Sequence, residues 1–431
     1  MSGRKVTGVL AFATFLAAGI ALEPAAQGEN YDWVSLGSGM NNDVQALTVY
    51  NGELVAGGWF SSAGGAPCKR VARWNGSTWQ PLDSGTGEYV LALTVYNDEL
   101  IVGGDFTTAG EVACSNVARW NGSAWQPLGS GTSSSVCALT VYNGELIAGG
   151  IFTAAGGNPA SYIARWNGST WQPLGSGMDS GVGALAVYDG ELIAGGNFTT
   201  AGGVPCDRIA RWNGSAWQPL SAGIGGNYVG TLAVYNGELI AGGYFPNAGG
   251  MPCNHIARWS AAGGWQPLGS GMDTAVRSLT VCNGELIAGG YFTTAGGVPC
   301  NYIACWSAAG GWQPLGSGMD YVVDALTIYN GELIAGGGFT TAGGHPCAFV
   351  ARWSCPPCVG DLNCDGQIDF ADINPFVLYL SNYSNWLVEF AGCNPLNGDI
   401  NGDGTYGQGS FGDINPFVAL LTGHELPIPC P

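Results

Sequence analysis

The chain alternates apolar and polar positions in short runs that return on a fixed period. Residues 136–174 hold one such period: "VCALTVY", Asn-Gly, "ELIAGGIF", the loop "TAAGGNPAS", "YIARW", a second Asn-Gly and "STWQPL". The runs are rich in β-branched and aromatic residues and show no helical periodicity. Asn-Gly between two such runs predicts a hairpin, because both residues tolerate the positive φ of a type I′ turn. One period therefore predicts four short strands, a to d, in two hairpins.

Trp79, Trp125, Trp171, Trp217, Trp265 and Trp312 recur every 46 to 48 residues. Four strands in a period of that length make one propeller blade. Seven a–b–c units are marked by Gly57-Gly58, Gly103-Gly104, Gly149-Gly150, Gly195-Gly196, Gly242-Gly243, Gly289-Gly290 and Gly336-Gly337. The seventh ends at "VARW", 350–353, with no strand d behind it. The segment "YDWVSLGSGM", 31–40, matches "STWQPLGSGM". A strand d around Trp33 should therefore complete blade seven, closing the ring and leaving no open edge.

The order "ALTVYNGELIAGG…ARWNGSTWQPL" resembles a kelch-type propeller repeat over about residues 31–354. The Gly-Gly that ends strand b and the Trp that opens strand d carry the resemblance. Late in strand c, where that family usually has Tyr, this chain has Trp, from Trp74 to Trp353. The resemblance implies a seven-bladed fold and leaves the function open, since such propellers host enzymes, adhesins and scaffolds.

Strand alternation puts the a–b and c–d turns on one face of the disc and the b–c and d–a loops on the other. The first face is near-uniform Asn-Gly. The second carries the variation: "MNNDV", "TGEYV", "TSSSV", "MDSGV", "IGGNY", "MDTAV" and "MDYVV". A glycan or protein ligand should meet this variable face, because loops on a rigid scaffold carry specificity. Glu53, Glu99, Glu145, Glu191, Glu238, Glu285 and Glu332 open strand b, and Arg73, Arg119, Arg165, Arg211, Arg258 and Arg352 lie late in strand c. Cross-strand ion pairs account for them. Blade six has Cys305 in place of the arginine. The glycosylation-type "NGS" at Asn75, Asn121, Asn167 and Asn213 is explained by the hairpin turn.

Composition narrows the function. Arg4 and Lys5 precede an apolar stretch, Val6 to Leu22, with small residues at its exit, so residues 1–26 read as a secretory signal peptide. The mature chain is expected to be secreted or at the cell surface, with no membrane insertion. A net charge of −19 argues against a nucleic-acid partner. Fourteen cysteines fit an oxidising compartment, where disulfides persist. Six of them, Cys68, Cys114, Cys206, Cys253, Cys300 and Cys347, hold one repeated position. Only three histidines occur, and no Ser–His–Asp order, zinc motif or phosphate loop stands out. Near-identical blades argue against one asymmetric catalytic pocket.

The tail, 355–431, changes character. From residue 354 on there is no Lys or Arg, against nine acidic residues. "DLNCDGQIDFAD" sets Asp361, Asn363, Asp365, Gln367, Asp369 and Asp372 at the calcium-loop spacing of an EF-hand, with Gly366 at the sharp turn. Asp replaces the usual final Glu. A second copy sets Asp399, Asn401, Asp403, Thr405, Ser410 and Asp413, with an insertion before its last acid. Each loop is followed by "DINPFV". Ile373, Phe376, Val377 and Leu380 repeat at i, i+3, i+4 and i+7, as do Ile414, Phe417, Val418 and Leu421. An amphipathic helix after each loop is expected. Paired loops and helices resemble a type I dockerin over roughly 359–422. That resemblance implies calcium as cofactor and a cohesin-like or other protein partner. Phe370-Ala371 and Phe411-Gly412 occupy the loop positions that the family often uses for recognition.

The expected molecule is an all-β, seven-bladed propeller with a small C-terminal α-helical calcium module, acting as a non-catalytic binding or scaffold protein. A component or enzyme of extracellular polysaccharide degradation and a structural cell-surface protein are the rival readings.

Overall fold

The computed structural model describes residues 32–354 and, beyond them, 362, 367–368, 373–382, 384–386, 414, 417 and 428–429. Residues 1–31, which contain the expected signal peptide, lie outside the described residues.

The first blade shows how each sheet is made. After β1 (Asp32–Ser35), strands β2 (Val44–Tyr50), β3 (Glu53–Gly58), β4 (Ser62–Ala63), β5 (Ala66–Pro67), β6 (Val71–Trp74) and β7 (Trp79–Pro81) follow. β2, β3, β6 and β7 pair in that order, all antiparallel, as strands a, b, c and d. Seven such four-stranded sheets occur among the described residues. Strand a of each blade packs against strand a of the next, and β2 packs against Val323–Tyr329 of blade seven, so the ring closes.

Closure works as the orphan segment predicts. β1 pairs with Val350–Ser354, Trp33 facing Trp353 at 5.1 Å between ring centroids. The Trp33 indole N–H donates to Leu315 O at 3.2 Å. Trp79 makes the same bond to Leu36 O, and Trp171 to Leu128 O, each reaching the preceding blade's d–a loop. Trp33 is 1% exposed. The N-terminal strand thus plugs into blade seven as the other d strands plug into theirs.

The paired glycines have a steric cause. A Cβ at Gly57 would lie 2.4 Å from a Val90 methyl of the next blade, and one at Gly58 would lie 2.1 Å from Asp43 O. The first glycine lets blades approach; the second lets strand b cross the start of strand a. The a–b turn is the type I′ turn expected, with Asn51 at φ 50° and Gly52 at 75°. The c–d turn differs. Trp74 pairs with Trp79, leaving four residues between, and Asn75 Oδ1 accepts from the Ser77 and Thr78 N–H groups at 3.0 and 2.9 Å. An Asx turn, not a two-residue type I′ turn, joins those strands. The b–c loop also holds an extra hairpin, β4–β5, turned by Gly64 and Gly65 at φ 62° and 79°.

Six Glu–Arg pairs form at 3.0–3.3 Å. Their arginines are 34–44% exposed, so each contributes roughly 0–1 kcal/mol. In blade six Cys305 is buried between Ile287 and Gln313 instead.

The disulfide expectation is not met at five repeat cysteines, while Cys355, Cys358, Cys364, Cys393 and Cys430 of the tail lie outside the described residues. Cys68, Cys114, Cys206, Cys253 and Cys300 are unpaired thiols, 2–3% exposed, each in its own blade's core. Burial pushes Cys68 and Cys300 up to about 12 and Cys253 to about 11. One position per blade keeps them apart, and a high pKa makes them inert apolar filling.

In the tail, α1 (Ile373–Ser381) forms where predicted, with Pro375 in its first turn. Its buried face is shifted from the predicted one, keeping Phe376 and Leu380 and adding Tyr379. Phe376, Tyr379 and Leu380 are buried, whereas Ile373 and Val377 are 40% and 57% exposed. Tyr379 meets Trp386 edge-on at 5.0 Å, and Phe376 meets Phe417 at 4.1 Å.

Candidate functional site

The d–a and b–c loops do share one face, and the repeat stitches them together. Asp179 shows the device: its Oδ1 accepts from the Thr199 and Thr200 N–H groups, and its Oδ2 from the Thr199 hydroxyl. Those bonds hold Asp179 below the usual carboxylate range against the opposing effect of burial. Asp273 and Asp320 repeat it in blades six and seven. The loops therefore form a fixed platform, and its centre is the channel lined by the seven a strands.

Each a strand enters that channel through a bulge. In β2 the register shifts between Val44 and Ala46, so Gln45 is the extra residue. The equivalent residues are Leu91, Cys137, Gly183, Gly230, Arg277 and Asp324. In a chain that repeats whole decapeptides, these seven positions share almost nothing. Three adjacent blades supply a polar chain. Arg277 Nε donates to Asp324 Oδ1 at 3.0 Å, and Gln45 Nε2 donates to Asp324 Oδ2 at 3.1 Å. Asp324 is 4% exposed, Arg277 35%. Burial opposes the charge on Arg277, but the Asp324 carboxylate outweighs it and raises the guanidinium's pKa. The Arg277 charge reaches Tyr228, Tyr291 and, across the channel, Cys137. Burial, then Asp324, raises Asp43 beside it. Burial also raises the Cys137 thiol, which leaves it a poor nucleophile. Opposite this chain, Gly183 is open: a Cβ there would meet only Val229 O, at 3.7 Å. The channel volume is about 230 Å³.

The mouth is aromatic. Among the described residues, the aromatic side chains that stand exposed are Trp59, Tyr89, Tyr244, Tyr291 and Tyr321, at 40–51%. All five lie where strand a begins or strand b ends on this face, in blades five, six, seven, one and two. Trp59 and Tyr89 form a tilted pair at 5.2 Å; Tyr244 stacks between Tyr228, at 6.5 Å, and His255, at 5.0 Å. Arg70 lies over Tyr89 at 5.2 Å.

His255 gives this rim a pH dependence. Its Nδ1 accepts from the Phe245 N–H at 3.2 Å, which requires the neutral ring. Burial lowers its pKa, partly offset by Asp273. A histidine with a depressed folded pKa holds full stability above the unfolded value of about 6.5 and loses it as pH falls below. His255→Asn keeps an acceptor, suits the φ of 72° and does not titrate. From pH 7.5 to 5.5 the wild type should lose more Tm than this variant; equal losses would disprove the role of His255.

Of the twelve predicted calcium ligands, only Gln367 is among the described residues. Asp361, Asn363, Asp365, Asp369, Asp372, Asp399, Asn401, Asp403, Thr405, Ser410 and Asp413 lie outside the described residues. Gln367 is in the short strand Gln367–Ile368, which pairs with Ile428–Pro429. The asymmetric throat, by contrast, was missed. Its signal was the one variable letter in "V-x-A-L-T-V-Y".

Comparison with known proteins agrees with this architecture. The Rax2 C-terminal beta propeller domain family matches residues 27–181, and a beta-propeller domain of unknown function, DUF5122, matches 189–214 and 283–308. The WD40 beta propeller domain of Doa1 is similar at 16% identity and TM-score 0.52, over 75% of this chain and 95% of that one. The chain is a β-propeller. Looser likenesses, at TM-scores 0.47 and 0.49, are to the computationally designed Ika8 protein, 17% identical over 75% of this chain and 99% of that one, and to the extracellular domain of BT4673 from B. thetaiotaomicron, 9% identical over 75% and 39%. No curated protein matches this chain. No helix among the described residues is long and apolar enough to cross a membrane.

Proposed function

We propose that this is an exported, kelch-type binding or scaffold propeller whose ligand meets the variable-face mouth. A dockerin-like tail, 355–431, then docks it on a cohesin-like or other protein through calcium held by the two loops. The observation that carries the first half is the gathering of all five exposed aromatics around the one asymmetric throat. Scattered apolar residues on a surface are ordinary, but a cluster facing a cleft marks a binding site. Sequence carries the second half: two copies of acid spacing, each before the same "DINPFV".

The enzyme reading has one observation in its favour. Asp43 has a raised pKa beside Asp324, as a general acid paired with a carboxylate would. Against it, both Asp324 oxygens are already taken by Arg277 and Gln45. The carboxylate is held as a brace and is 4% exposed, not presented to a substrate as a nucleophile or base would be. Binding is therefore the better reading.

A bulky polyethylene glycol maleimide on Asp105→Cys, at the mouth, should abolish retention on the native extracellular matrix or cell envelope. The same label on Ser123→Cys, in a c–d turn, should leave retention intact. Equal retention of both conjugates would sink the variable-face reading.

A further inference from the structure

The mouth does more than mark a face; it restricts what can be bound there. The channel, at about 230 Å³, is smaller than the roughly 300–1,000 Å³ of pockets that engulf a whole small ligand. It admits one end of a ligand, while the rest lies across the aromatic rim. The rim offers exposed ring faces, which stack on flat C–H surfaces. Beside Arg277, the throat wall presents Thr231 and the buried Ser278 hydroxyl, which makes no hydrogen bond among the described residues. Asp324 accepts the Arg277 Nε–H and the Gln45 amide, one on each oxygen, and so braces the guanidinium. The ligand end must therefore carry hydrogen-bonding groups, acceptors for Arg277 among them.

Charge decides among acceptors. Asp43, Glu88, Asp105 and Asp324 surround the mouth; of the cations on this face, Arg277 and Arg70 each face a carboxylate, Asp324 at 3.0 Å and Glu88 at 3.9 Å, and Arg208 is held by the carbonyls of Gly226, Asn227 and Phe198. A carboxylated or phosphorylated ligand would enter an acidic field on a chain of net charge −19. A cationic ligand would meet the Arg277 charge, with Asp324 buried behind it at 4% exposure and already paired to it. What remains is an uncharged molecule with flat C–H faces and many hydroxyls.

Resting on the variable-face reading, we infer that the ligand is a neutral oligosaccharide. It binds end-on, with sugar rings against Trp59, Tyr89, Tyr291 and Tyr321 and the terminal hydroxyls accepting from Arg277. Gly183 leaves the space that the terminal ring occupies. Arg277 and the aromatics contact the ligand; Asp324 and Gln45 are positioning residues that aim the guanidinium.

The test is isothermal titration of the full chain with a fixed panel. It comprises neutral hexasaccharides of β-1,4-linked glucose, xylose and mannose and of α-1,4-linked glucose, a uronic-acid hexasaccharide, and a trimethyllysine peptide. At least one neutral hexasaccharide should bind, with an affinity that 1 M salt leaves nearly unchanged. Arg277→Met and Tyr291→Ala should each weaken it at least tenfold, and Gly183→Leu, which fills open space, should abolish it. Ser123→Ala should change nothing, and thermal melts should show every variant folded. No binding by any neutral hexasaccharide overturns the inference. Binding of only the uronic-acid or cationic probe, lost in the same variants, overturns the neutral-sugar class and leaves the variable-face reading standing. Sugar binding that survives all three mouth variants overturns both.

Discussion

Deleting residues 32–35 should collapse the propeller's stability and leave an aggregating protein. The deletion removes the d strand of blade seven alone, and with it the pairing of β1 to Val350–Ser354. It bares the backbone edge of that strand, an open template for another chain. It also removes Trp33, 1% exposed, from a cluster that includes Leu315, Met319, Val323 and Phe339. Trp33→Ala alone should cost about 3–5 kcal/mol, the range for truncating a buried Trp. The comparison variant is Val34→Ala. Val34 is 38% exposed on the same strand, so its loss should be small. Urea unfolding measures all three. A deletion protein with an unchanged midpoint and no aggregation would show that the ring does not depend on this strand.

The contrast between that strand and the throat explains what the sequence could and could not disclose. The orphan d strand is legible because its evidence is local: "DWVSLGSGM" repeats letters found in the other blades. The blade itself is legible for the same reason, since turn residues and strand periodicity act over a few positions. The throat depends on register. Gln45, Arg277 and Asp324 are separated by 279 and 47 residues, and meet only because one bulge per a strand turns that residue into the channel. Repetition then misleads. Near-identical blades seem to forbid an asymmetric pocket, yet one varying letter per blade builds one. The small β4–β5 hairpin was hidden in another way. Its Gly64-Gly65 turn was visible, but two-residue strands carry no periodicity. For the cysteines, composition suggested oxidation, whereas the fold buries the repeated thiols in separate blade cores, out of reach of one another, with Ala160 at that position in blade three. On α1 the i, i+3, i+4, i+7 stripe gave the helix correctly, but Tyr379 and Trp386 rotate its buried face away from Val377.

Chelation of calcium should unfold the tail of the full-length chain and leave the propeller intact. The first loop sets Asp361, Asp365, Asp369 and Asp372 within twelve residues, and no Lys or Arg follows residue 353 to offset them. Like charges so close oppose a compact state. The apolar return is small: the described part of the tail buries Leu362, Phe376, Tyr379, Leu380, Trp386 and Phe417, while Ile373, Val377 and Ile414 stay exposed. Modules of this size commonly need a metal or disulfide staple. Calcium brings two positive charges to each loop, so its binding free energy becomes folding free energy. In chelator, limited proteolysis should cut after residue 354 and release a resistant fragment that ends there. Added calcium should protect the tail and raise the helical signal. Asp361→Ala with Asp372→Ala should abolish most of that protection. Asp399→Ala with Asp413→Ala should weaken it less, because the insertion before Asp413 displaces the last acid from the spacing the first loop keeps. A tail that resists protease equally in calcium and in chelator, with unchanged helix content, would overturn metal-coupled folding and with it the calcium-dependent dock.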